Sequence, residues 1–132
     1  MQCPPQEVMN KPEHFEIMEG YAVFRPSGQV SLEEGVRSVT SVIDFAREHQ
    51  IRKLLVVTTG LTGFKTPSLA DRYFLFREAA RAAQRSVCIA LVIRPEFIDP
   101  EKLGVLVAKN AGLLLDVFAL EAEALVWLQS LK

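Results

Sequence analysis

The chain is poor in the residues that make chemistry easy to read: two cysteines, two histidines and one tryptophan among 132 residues. Cys3 and Cys88 lie far apart, one in a proline-rich start and one inside an apolar run, so no disulfide is expected. Cys88, between Val87 and Ile89, reads as a small buried hydrophobe. His14 and His49 have no cysteine or acid at ligand spacing, so no metal site is expected, and no Ser-His-acid set can be assembled. Charge of one sign is also missing. Fifteen Lys and Arg stand against 16 Asp and Glu, for a net charge of -1, which removes the basic surplus that nucleic-acid binders use against phosphate. Hydrophobic residues make up 49% of the chain, yet the apolar runs are too short and interrupted to span a bilayer, so no transmembrane segment is expected. The start, MQCPPQEVMNKPEHFE, lacks a basic stretch followed by an apolar one and does not read as a secretory signal, which makes cytoplasmic residence the expectation. The Gly60 to Gly63 loop lacks the spacing of a phosphate-binding P-loop and the Lys-Ser/Thr that should follow it, and no cofactor is expected.

What is present is hydrophobic periodicity. Residues 1–12 show none and read as a terminal arm, leaving residues 13–132 as a single domain. His14 to Met18 and Tyr21 to Phe24 read as two short strands joined by a Glu19-Gly20 turn, that is, a hairpin ended by Arg25-Pro26-Ser27-Gly28. Ser31-Leu32-Glu33-Glu34 has the spacing of a capping box. Leu32, Val36, Val39, Ile43 and Ala46 then form one apolar stripe of a helix ending near His49-Gln50. Lys53 to Thr58 and Val87 to Ile93 are continuous apolar runs, expected to be central strands covered on both faces. Between them a helix is predicted with Thr66 as cap and Pro67 at its first position, carrying Leu69, Tyr73, Phe74, Phe76, Ala80 and Ala83 to about Gln84. Asp99-Pro100-Glu101 predicts the start of another helix, running to Asn110 with Gly112 as its left-handed stop. Leu113 to Phe118 supplies a last strand and Glu121 to Gln129 a last helix. Strands joined through helices pair in parallel with right-handed crossovers. The expectation is therefore an α/β domain: a mostly parallel sheet of about five strands with an N-terminal antiparallel hairpin and about four helices.

The stretch Leu54 to Ser68, an apolar strand running through a Gly/Thr loop into a helix start, is the expected working surface, because such loops leave the carboxyl ends of the strands. Arg25, Lys65 and Arg94 each follow a strand or its loop and could converge beside Thr59 and Thr62 as an anion site, the plainer reading being solvated rim charge. For Thr66 and Ser68 the plainer reading is helix capping. Arg77, Arg81 and Arg85 recur along one helix face and could dock an acidic partner. Tyr73, Phe74, Phe76 and Phe97 with Phe64 offer aromatic area for a lipid or amphiphile pocket, with core packing as the alternative.

The hairpin, the helix from Ser31, the segment LLVVTTGLTGFKTPSLADRYF and the closing VFALEAEALVWL together resemble the STAS domains, in their SpoIIAA-like branch related to the CRAL-TRIO lipid-binding fold, over roughly Phe15 to Leu128. The resemblance implies parallel strands lying side by side in chain order with helices mainly on one face. The second face would then need a homodimer or a packed tail to cover it. It also implies a serine switch at Ser68, where a phosphate would meet free helix-start amides. The family pattern there is Asp-Ser-Ser-Gly, and this chain has Thr66-Pro67-Ser68-Leu69. The function implied is a non-enzymatic binding or regulatory module acting on a protein partner. The alternative is a carrier or sensor of a small apolar or amphiphilic ligand.

Overall fold

The computed structural model describes residues 11–131, so most of the expected terminal arm, Cys3 included, lies outside the described residues. The strands are β1 (Phe15–Ile17), β2 (Ala22–Phe24), β3 (Ser27–Gln29), β4 (Lys53–Val57), β5 (Gly60–Thr62), β6 (Cys88–Val92) and β7 (Leu115–Phe118). The α-helices are α1 (Leu32–Glu48), α2 (Leu69–Ala83), α3 (Leu103–Asn110) and α4 (Glu121–Ser130). One five-stranded sheet runs in the order β1-β2-β4-β6-β7. Its first pair is antiparallel, with Phe15 opposite Phe24, and the rest are parallel, with Leu54 opposite Ile89 and Ile89 opposite Leu115. The fold is the expected α/β sheet with an antiparallel edge.

The alternation of side chains across this sheet divides the core in two. Ala22, Phe24, Leu54, Val56, Ile89, Leu91, Leu115 and Val117 face α1, α2 and α3. Val23, Leu55, Val57, Ala90 and Val92 face the other way, where α4 covers them with Ala124 and Leu128. A strand apolar on both faces needs cover on both, and one C-terminal helix supplies the second layer. Cover on the second face thus comes, among the described residues, from a helix of the same chain.

Helix starts explain two departures from the expected boundaries. Ser31 makes the capping box as read: the Glu34 amide donates to Ser31 Oγ at 3.1 Å and the Ser31 amide to Glu34 Oε1 at 2.9 Å. In α2 the cap is Ser68, not Thr66. The Asp71 amide donates to Ser68 Oγ at 3.1 Å and the Ser68 amide to Asp71 Oδ2 at 3.0 Å. A cap at Thr66 would have Leu69 three residues on, with no side-chain acceptor to return the bond, so the reciprocal pair moves the start by two residues. In α3 the start moves from Asp99-Pro100 to Leu103. A 3-10 turn, Pro95–Phe97, comes first, and the Asp99 carboxylate accepts from the amides of Glu101 at 3.2 Å and Leu103 at 2.9 Å.

The sequence pattern also missed a second, two-stranded parallel sheet of β3 and β5, pairing Gly28 with Leu61. Gly63 closes it with φ +99, and a Cβ there would stand 2.7 Å from the Val30 carbonyl oxygen. Only glycine meets both demands. This ribbon lies at the carboxyl end of β4 and carries the buried side chain of Leu61 inward. Among the described residues, no helix is long and apolar enough to cross a membrane.

Candidate functional site: an apolar cavity at the carboxyl edge of the sheet

The charged and hydroxyl residues singled out in the sequence go to separate partners. Arg25 makes a two-pronged ion pair with Glu121, tying the end of β2 to the start of α4, and this contact raises its already high pKa. The Arg94 guanidinium donates to the backbone carbonyls of Leu61 at 3.0 Å and Thr59 at 3.4 Å, and sits 6.0 Å from the centre of the Phe97 ring. Arg94 thus clamps β5 onto the sheet. Thr62 Oγ1 donates to the Gly28 carbonyl across the ribbon at 3.4 Å. Lys65 and Thr66 are exposed in the loop before α2, and Ser68 is its cap. Arg81 pairs with Glu78, and Arg77 lies against Tyr73, so that stripe has both an acidic and an aromatic neighbour. Among the described residues, no group of three or more His, Cys, Asp or Glu could hold a metal ion.

The aromatic residues divide. Neither an enclosed pocket lining nor core packing describes Tyr73 and Phe74, which with Leu69 are exposed on α2, at 51%, 55% and 62%. Phe76, Ala80 and Ala83 of the expected stripe are buried together with Ala79 and Ala82, and Arg72 and Leu75 carry that face of α2 toward its N-terminal end. Phe76 is buried, and Phe64 and Phe97 approach each other across two loops with ring centres 6.0 Å apart.

Beneath these rings is a cavity of about 120 Å³. Its floor is Ile89, Leu91, Leu115 and Val117 of the sheet, and its walls come from α1, α2 and α3. Each of the three helices brings a small residue to its lining: Gly35 from α1, Ala79 from α2 and Gly104 from α3. The Gly104 position is tight, since a Cβ there would stand 2.1 Å from Phe76 Cε2, so the absence of a side chain seats the Phe76 ring against α3. The roof is the loop before α2, through Phe64 and Pro67, and the loop after β6, through Phe97 and Ile98. Thus the space lies under the stretch that the sequence marks as the working surface.

Four polar residues reach the lining: Thr58, Arg72, Asp99 and Lys102. The Thr58 hydroxyl donates to the Val92 carbonyl at 3.2 Å. Asp99 is held by the two amides at the start of α3. These bonds, with the charge of Arg72 adding to them, hold its carboxyl below the usual carboxylate range. Lys102 Nζ donates to Asp116 Oδ1 at 3.0 Å and to the Val117 carbonyl at 3.4 Å. Arg72, which sequence reading passed over, has no side-chain partner among the described residues. The signal was there: a cation three, four and seven residues before Leu75, Phe76 and Ala79 shares their face of the helix. In comparison with known proteins, the chain matches no family model, no curated protein and no solved structure.

Proposed function

We propose that this chain is a non-enzymatic, STAS-like binding module that carries or senses a small apolar or amphiphilic ligand in the cavity under the Gly60 to Ser68 loop. The observation that carries this reading is the apolar space of about 120 Å³ at the carboxyl edge of the sheet. Packed cores leave few voids, and an engineered apolar cavity of about 150 Å³ takes up benzene. A space of this size and lining suits one ring or a short alkyl chain. Titration of the ¹⁵N-labelled protein with 1-hexanol and with benzene tests it. Saturable NMR shifts are expected at the amides of Leu75, Ala79, Leu91 and Val105. Shifts that never saturate, or that fall elsewhere, would end the reading.

A second reading, a regulatory module that binds a protein partner, draws on a different surface. Leu69, Tyr73 and Phe74 stand in water on α2 beside Arg77, and exposed aromatics next to arginine are the composition of interface anchors. Native mass spectrometry separates the two readings: a co-purifying small molecule supports the first, a stoichiometric protein partner the second.

A further inference from the structure

We propose that the ligand of this cavity is a monocarboxylate with a short apolar tail, about four to six carbons or a single aromatic ring long, held with its carboxylate on Arg72. This rests on reading the cavity as a ligand site and adds the class of ligand. The tail follows from the lining, which is carbon on the floor and on three walls. The head follows from the charged groups at its edge. Asp99 is spent on the amides of Glu101 and Leu103, and Lys102 on Asp116 and the Val117 carbonyl. Arg72 alone among the charged lining residues has no side-chain hydrogen bond or ion pair to a described residue.

Arg72 is half-buried on the stripe of α2 that otherwise carries Leu75, Phe76 and Ala79 against the core. A guanidinium in partly apolar surroundings loses hydration, and a carboxylate returns that loss through paired, charge-assisted hydrogen bonds in the planar geometry that arginine presents. Asp99 lies close enough to feel the charge of Arg72, but the two make no ion pair within 4.0 Å, so the fork of Arg72 is left for an incoming anion. Of the two neighbouring charges, Asp99 has its oxygens on the Glu101 and Leu103 amides, whereas Arg72 has no side-chain partner among the described residues. An amine head would meet Arg72 with like charge, and a neutral head would leave it unpaired.

The test compares n-hexanoate with 1-hexanol, which share a six-carbon skeleton and differ in the head group. Affinities are read by NMR titration of the wild type, Arg72→Gln and Arg72→Lys, each shown to be folded by its amide spectrum. In the wild type hexanoate should bind roughly tenfold more tightly than hexanol. Arg72→Gln should erase that preference by weakening hexanoate far more than hexanol, while Arg72→Lys should keep part of it. Equal binding of the two probes to the wild type, or a preference that survives Arg72→Gln, overturns the assignment of the carboxylate and leaves the apolar pocket standing. If neither probe binds, the pocket reading and this inference fall together.

Discussion

At the scale of single residues, the charged groups of this protein serve mainly to finish backbone structure. Arg94 closes β5 onto the sheet, and Asp99 gathers two amides ahead of α3. For Asp99 the consequence can be measured. Its carboxyl is held below its ordinary value of 3.8, chiefly by the amides of Leu103 and Glu101. A carboxyl depressed in the folded state stabilises the protein above its unfolded value, and that contribution is lost as pH falls through the folded value. Asp99→Asn should therefore be less stable than the wild type near neutral pH, with a gap that narrows progressively below pH 3.8. Urea midpoints at about pH 7 and about pH 2.5 check this, and a gap of equal size at both would refute the role. The site was only partly legible at this scale. Ser68 could be seen as a candidate, but whether its hydroxyl is free or spent depends on Asp71, and the chain could have started the helix at either of two caps. Spacing alone puts Arg72 on the face of Leu75, Phe76 and Ala79, but that this face looks into a cavity depends on how α1, α2 and α3 pack together.

At the scale of elements, the cavity is bordered by small residues that the helices bring to it. Phe76 of α2 lies against Gly104 of α3, and a methyl group there would overlap the ring. Gly104→Ala must turn that ring or move α3, and the open space beside it is the cavity. The expected result is a loss of about 1–3 kcal/mol in stability, typical of overpacking, together with loss of 1-hexanol binding. Denaturation and the same NMR titration measure both. A variant that binds hexanol as the wild type does would show that the ring does not border the occupied space. The ribbon of β3 and β5 belongs to this scale too. Its strands are three residues each, rich in glycine, serine and threonine, so neither alternation nor apolar runs announced them. They form because Leu61 is drawn into the core and Arg94 holds the carbonyls around it.

At the scale of the whole molecule, the two layers over the sheet are unequal among the described residues: three helices on one face and α4 on the other. The second layer therefore hangs on few side chains. Leu128, fully buried, should cost about 2–5 kcal/mol when cut to alanine, whereas Val126 on the same helix is 69% exposed and should change stability by no more than about 0.5 kcal/mol. Similar losses from the two would mean that α4 does not cover the sheet in solution. By itself the sequence determined the class of fold: continuous apolar runs at 54–57 and 89–92 demand cover on both faces, and strands separated by helices must pair in parallel. It also determined the Ser31 cap, whose partners lie three residues apart. Tertiary structure alone decided that α4 supplies the second layer, that Tyr73 and Phe74 face water while Phe64 and Phe97 meet over a cavity, and that Arg72 is left without a side-chain partner among the described residues. The physical reason is reach. Periodicity and caps act over a few residues, whereas a void is defined by the side chains of three helices and two loops that meet only when the chain has folded.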